Sequence, residues 1–475
     1  MTTKFAPTYE TYRGLPPLAG LCSMEHAVTA NWSVEASVQR LKHLHFVLRR
    51  LVEIFTCRIT GEPIYELKTA FSHHAYLCAE HLTAIRRRVG EMREPPLGLD
   101  KIPHEALRLF CDELQSAPNS ESLVFGLYQV ALPHVLEKAN LVIRDAHPLA
   151  DAPTVRIAKF IVQESQEMID FGNQAIHCLV DSSCRQSLEP WQQMLIECLQ
   201  AAETATPIDQ EKNQLPDPHF SREPFRFEPV PQRDERFQDP FNAGVNPEAF
   251  LYDEQFSPRD KTLMMFYKRL REIDVPEMMA SILYELRDEE PWEFHMEMTR
   301  QLWDEARHAM MGEVGFASYG LDWRKIPINF TWSLNLNTQL TARERHGVLF
   351  FIEQGLMPKT GKRYEWEVGK ESGNPLSALF QDFDWADEVL HAQIGRRWYV
   401  PRYKNLNEAL SYGDRCWSKV LSHWSNYQEQ GLTEHKNWWP ELYRAACAAW
   451  QVPPDPRALD FHTTYESKRA DLKEL

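Results

Sequence analysis

The chain has 475 residues, 43% hydrophobic and 25% charged, the composition of an ordinary globular protein long enough for two or three domains. A formal net charge of −16 argues against a protein built on phosphate contacts, and so against a nucleic-acid partner. The nine cysteines are scattered with no C-x-x-C pair, which excludes a zinc or iron–sulfur framework and reads as small buried hydrophobes in a reducing compartment.

Only 19 glycines beside abundant Glu, Leu, Ala and Arg favour helix over sheet, so the expected fold class is all-α. Met1-Thr2-Thr3-Lys4-Phe5-Ala6-Pro7 holds no apolar signal core. The longest uncharged apolar run, near positions 122–136, contains Pro133 and is too short to span a bilayer. The expectation is a cytoplasmic protein without a membrane segment.

In chain order, residues 1–30 read as an irregular extension with Pro16-Pro17. From Trp32 onward, Leu41, Leu44, Val47, Leu48, Leu51, Ile54 and Phe55 recur at three- and four-residue steps, predicting a helix that breaks at Thr60-Gly61-Glu62-Pro63. Further helices are predicted over 64–93, 103–114, 122–144, 154–180 and 189–205. Residues 31–205 therefore read as one helical bundle. Residues 206–256 are rich in proline, including Pro207, Pro216, Pro224, Pro231 and Pro247, and predict a semi-rigid linker. Its aromatic residues, among them Phe220, Phe237, Phe241 and Phe250, predict packing along the bundles. A second bundle is expected over 257–432, with a long crossover at about 319–341, followed by a C-terminal extension over 433–475.

Two stretches carry the chemistry. Trp303-Asp304-Glu305-Ala306-Arg307-His308 and Trp385-Ala386-Asp387-Glu388-Val389-Leu390-His391 each place Glu and His three residues apart, on one face of a helix, where both reach one metal ion. Two such pairs, each preceded by a helix with a lone inward Glu, give the dimetal carboxylate site of a ferritin-like four-helix bundle. Reflecting Glu305 through the turn at Arg287-Asp288-Glu289-Glu290-Pro291 selects Glu277 as its partner. Reflecting Glu388 through Glu371-Ser372-Gly373-Asn374-Pro375 selects Glu353, which lies among apolar residues where an unpaired carboxylate is costly. The expected ligands are Glu277, Glu305, His308, Glu353, Glu388 and His391, with Glu305 and Glu388 as the catalytic carboxylates. Asp304 and Asp387 are expected to hydrogen-bond the non-ligating nitrogen of the histidine on the opposite motif. The oxygen-rich donor set with two His suits two iron ions, or two manganese or a mixed pair.

The first half repeats some of this spacing. Glu53 and Glu80, and Glu137 and Glu164, lie 27 apart, against 28 for Glu277 and Glu305. Yet Thr83 and Glu167 stand where the histidines of the motif belong. Residues 31–205 are thus expected to be a degenerate ferritin-like bundle that serves as scaffold.

Pro276-Glu277-Met278-Met279, Asp304-Glu305-Ala306-Arg307-His308, Ile352-Glu353-Gln354-Gly355-Leu356 and Asp387-Glu388-Val389-Leu390-His391-Ala392-Gln393-Ile394-Gly395-Arg396-Arg397-Trp398 resemble an uncharacterised bacterial ferritin-like family, distantly similar to the tRNA-hydroxylase branch of the ferritin-like superfamily. The resemblance covers about residues 260–400. Pro276 departs from the pattern, and a helix starts or kinks at such a residue. The resemblance implies a dioxygen-activating non-haem di-iron oxidoreductase, of hydroxylase, N-oxygenase or desaturase type, acting on a small organic substrate with an external electron donor and a possible homodimer. The alternatives are a peroxide-decomposing or iron-handling protein and a helical scaffold with a structural metal.

Overall fold

A computed structural model describes residues 9–92, 98–204, 215–242, 244–421 and 425–464. Every regular element among them is helical, so the fold is all-α. The chain divides into two compact units, residues 1–54 with 74–226, and residues 55–73 with 227–475.

The first unit opens with α1 (Met24–Ala27), which Ser23 caps by accepting from the His26 N–H. The long helices α2 (Val34–Arg58) and α3 (Tyr65–Glu91) follow, broken at the predicted Gly-Pro turn. The unit boundary runs through both helices, so residues 55–73 are counted with the second unit. Then come α4 (Glu105–Gln115), α5 (Ser120–Gly126), α6 (Leu132–Asp145), α7 (Ala152–Leu179) and α8 (Ser182–Thr204). The single helix expected over 122–144 is interrupted by a π-turn at Leu127–Ala131. Pro133 has no N–H to give the carbonyl four residues back, and the widened turn absorbs that gap. Tyr128, in this turn, lies 2.7 Å from His74 Nδ1 and packs on Gly172, where an added Cβ would stand 2.0 Å from the ring. Helices α2, α3, α6 and α7 are stitched by His43–His134, His81–Glu164 and Arg88–Asp151 contacts.

The second unit contains α9 (Pro247–Leu251), α10 (Pro258–Arg271), α11 (Asp274–Glu285), α12 (Trp292–Ser318), α13 (Thr331–Gln339), α14 (Ala342–Gly355), α15 (Lys362–Glu371), α16 (Pro375–Trp398), α17 (Leu406–Leu421), α18 (Ser425–Glu429), α19 (Trp439–Ala449) and α20 (Pro456–Leu459). Helix α12 packs on α10, α11 and α16, while α14 packs on α11 and α16, so these elements close a ring. Gly312 lets α10 and α12 touch backbone to backbone, since a Cβ there would stand 2.2 Å from Leu270 N. The predicted helix starts fall where expected, with Pro291 and Asn374 as N-caps of α12 and α16. The crossover is not an open loop, because α13 lies within it and packs on α11, α14 and α17.

Two expected boundaries shift. The linker over 206–256 is divided at 226/227, and its second part belongs to the core of the second unit through Phe237, Val245, Phe250 and Phe256. Its first part, where described, is tied into the first unit. The Glu113 carboxylate accepts from the backbone N–H groups of His219, Phe220 and Ser221, and from Trp191 Nε1 at 3.0 Å. The C-terminal extension is likewise core material, with Trp439, Tyr443, Ala446 and Phe461 buried beside Phe250. Proline removes helical periodicity, but it does not stop aromatic side chains from burying their area. Residues 465–475 lie outside the described residues.

Candidate metal centre

The two Glu-x-x-His motifs sit in mid-helix on α12 and α16, which pack against each other, and all four of their metal-type side chains are buried. His308 Nδ1 lies 3.6 Å from Glu305 Oε2, and His391 Nδ1 lies 3.4 Å from Glu388 Oε2, as helical spacing requires. Across the helix pair, His391 Nδ1 is 3.2 Å from Glu305 Oε1. Glu305 therefore faces both imidazoles. Glu353, on α14, comes within 4.0 Å of His391 Nδ1 and accepts from Gln301 Nε2 at 3.3 Å.

The fourth carboxylate is Glu272 and not Glu277. Pro276 cannot donate to the Glu272 carbonyl four residues back, so the chain breaks between α10 and α11, and Val275 N makes a shorter 3.0 Å bond to that carbonyl instead. Glu272 caps α10 with its Oε2 3.4 Å from His308 Nδ1. Glu277 is carried elsewhere. Its carboxylate is held by Lys68 Nζ at 2.9 Å, Arg233 Nη2 at 3.0 Å and Ser333 Oγ at 2.8 Å, a buried ion cluster that leaves it no ligand role. Reflection through the turn matches height along the helix and not the face presented, and Glu272 lies beyond the break, at the end of α10.

Three groups of possible ligand atoms result, each within 4.8 Å of one another: Glu305, Glu353, Glu388 and His391; Glu272, Glu305 and His308; and His308, Asp384 and Glu388. Asp304 Oδ2 lies 3.4 Å from His391 Nε2, and Asp387 Oδ2 lies 3.1 Å from His308 Nε2. Each aspartate thus meets the outer nitrogen of the other motif's histidine, turning Nδ1 inward. Arg307 and Arg300 pair with the two aspartates from outside, Arg307 Nη2 at 2.8 Å from Asp387 and Arg300 Nε at 2.9 Å from Asp304.

Sequence reasoning missed three residues here. Asp384 stands four before Glu388 on the same helix face, a spacing that could have found it. Lys362 Nζ, fully buried, lies 2.8 Å from both Asp384 Oδ2 and Glu388 Oε1. Arg269 pairs with Asp384 and, at 2.7 Å, with Glu272. Lys362 arrives on α15, a separate short helix, and no periodicity in the sequence points to it. Glu297 and Tyr267 lie apart from these groups: Glu297 accepts from Trp398 Nε1 at 2.6 Å, and Tyr267 packs on Trp438.

Crowding carboxylates around two buried imidazoles shifts the titration of both kinds of group. Burial and the neighbouring Glu388 carboxylate hold Glu353 well above the usual carboxylate range. Burial opposes ionisation of Glu388 too, but Lys362 and its hydrogen bonds hold it well below that range. Burial alone would lower His308, yet the neighbouring carboxylates of Asp387, Glu272 and Glu305 raise it to about 10.

One oxygen of each of Glu272, Glu305, Glu353 and Glu388, and Nδ1 of both His308 and His391, are buried with no hydrogen-bond partner. Buried polar atoms are ordinarily satisfied, and these six face one another. The residues fit a pair of divalent cations. Among the described residues, such groups occur only in the second unit.

Comparison with protein-family models, curated proteins and solved structures gives no match to this chain.

Proposed function

We propose that the second unit is a ferritin-like dimetal centre and that the chain is a non-haem di-iron oxidoreductase that uses dioxygen to oxidise a small organic substrate. The observation that carries this reading is the set of six unpartnered inward atoms on Glu272, Glu305, Glu353, Glu388, His308 and His391. Four carboxylates and two imidazoles suit iron or manganese better than zinc or copper. Bound iron would supply dioxygen binding and oxidising power, with electrons from an external donor.

The chain's own residues would divide the remaining work. Glu305 faces both histidines and would help to hold a metal ion beside either of them. Asp304 and Asp387 fix the tautomer of each imidazole so that Nδ1 keeps its lone pair inward. Lys362 and Arg269 offset Asp384, so the first ring of ligands need not carry that extra charge. Glu353, the carboxyl that most readily holds a proton, lines the adjacent cavity and can hold or move one at Oε2. That cavity has a volume of about 220 Å³ and reaches Glu272, Glu305, Glu353 and Glu388, which favours an organic substrate over peroxide decomposition or iron storage.

Anaerobic iron loading followed by metal analysis and dioxygen-uptake measurement tests the proposal. About two irons per chain, with oxygen uptake that Glu305→Ala abolishes, is the expected result. No bound metal, or metal that survives Glu305→Ala unchanged, would overturn it.

A further inference from the structure

The cavity beside the carboxylates has two kinds of wall. Val275, Met278, Leu336, Val348, Leu349 and Ile352 make it apolar. Glu248, Lys268, Arg271 and Asp274 bring charge to it. Both cations already have a carboxylate: Lys268 Nζ lies 2.5 Å from Glu365 Oε1, and Arg271 Nη2 lies 3.7 Å from Glu248 Oε1. Asp274 feels the charges of Arg271 and Arg233 but is in close contact with neither. It is only 8% exposed, lines the cavity, and makes no side-chain hydrogen bond or ion pair among the described residues. Its position in the first turn of α11 follows from the break at Glu272. A buried carboxyl left without a partner is costly, and a ligand that supplies a cationic donor removes that cost.

We propose that this cavity binds a hydrophobic amine, with its ammonium group on Asp274 and its apolar body between α11, α13 and α14, against the metal-facing carboxylates. The volume of about 220 Å³ suits a small organic molecule. A carboxylate ligand finds no unpaired cation here, and a neutral alcohol leaves Asp274 without its counter-charge. This substrate class rests on the dimetal reading for what happens after binding, but the binding itself does not.

Calorimetric titration of the iron-loaded protein with hexylamine, hexanol and hexanoate tests the assignment. Hexylamine is expected to bind at least about tenfold more tightly than the other two, the scale of one charge-assisted hydrogen bond. Asp274→Asn should remove that preference, and Met278→Trp, which fills the cavity, should weaken all three probes. Equal binding of amine and alcohol, a preference for hexanoate, no binding of any probe, or an amine preference that survives Asp274→Asn would each overturn the proposal. Should Asp274→Asn fail to fold, the ranking of the three probes on the unmodified chain still decides. Metal content measured on the same samples keeps the two readings separate. Two ions with no amine preference sinks this inference alone, and an amine preference without metal sinks only the dimetal reading.

Discussion

The two units carry acid pairs at nearly the same spacing, and only one of them gathers its acids. In the second unit Glu305, Glu353 and Glu388 are buried and face two imidazoles. In the first unit Glu80, Glu137 and Glu167 are exposed, and Glu53 pairs with Arg49 and Arg50 near the surface. Glu164 is half-buried and meets His81 Nε2 at 2.9 Å, a single pair and no cluster. The centre of the first unit is filled by Leu48, Leu51, Ile54, Leu82, Leu127 and their like. Equal spacing along two helices places residues at equal height; it does not turn them towards the same axis. What separates the units is the residue three after each glutamate, and with it the direction that helix face takes.

The sharpest way to break this contrast is to compare Glu305→Ala and Glu272→Ala with Glu164→Ala. The first should abolish metal loading, the second should strip at least the His308 side, and the third should leave metal content unchanged. Metal analysis of the three purified variants checks this, and loss of metal in Glu164→Ala would remove the distinction between the units.

Glu277 offers the next test, because spacing chose it as a ligand and packing uses it as an anion. Glu277→Ala leaves Lys68 and Arg233 buried without their counter-charge, which should cost about 3–5 kcal/mol of stability. Denaturant unfolding measures that loss. Metal stoichiometry of the folded fraction should stay the same, whereas a stoichiometric loss of one ion would restore Glu277 as a ligand.

A smaller effect is expected from the outer aspartates. Asp387→Ala removes the acceptor for His308 Nε2 and should weaken metal affinity about 10- to 100-fold while two sites remain. Competition with a chelator reads the difference. Unchanged affinity would reduce Asp387 to a surface-side partner of Arg307.

The first unit has its own titrating feature. Burial pushes His43 down to about 4, and pushes His45 and His134 down to about 3. Each is neutral in the fold, while in the unfolded chain each takes a proton below its ordinary value of about 6.5. The unfolded state then binds more protons, so stability is complete above that value and falls as pH drops from about 6.5 towards 4. At pH 5 the loss is about 2 kcal/mol for each histidine, before their mutual contact is considered. Unfolding curves of the unmodified chain and of His134→Gln between pH 7 and 4.5 should converge at the acid end. Parallel curves would show that His134 does not contribute.

Much of this was legible in the chain. Helix followed from apolar residues at three- and four-residue steps, and the breaks followed from Gly and Pro, because these are local rules of backbone and side-chain geometry. Pro276 announced a helix start, and it lies in the first turn of α11, just after the break. The Glu-x-x-His pairs lie within one turn of one helix, so their shared face needs no knowledge of the fold, and Asp304 and Asp387 share that advantage.

Other features were settled only by packing. Which glutamate of the kinked segment turns inward depends on how α10 and α11 sit against α12, and local periodicity says nothing of that. Lys362 and Arg269 reach Asp384 from two other helices, and only tertiary structure brings such charges together. The prolines at 229, 231, 240 and 247 hid that residues 227–256 form part of a core, since burial of Phe237 and Phe250 needs partners far along the chain, Trp323 and Trp439 among them. The sequence by itself determined the helices and the two metal-type motifs, because both are set by neighbours along the chain. Tertiary structure alone decided the remaining carboxylates, their counter-charges and the cavity wall, because those depend on side chains that meet only after the helices have packed.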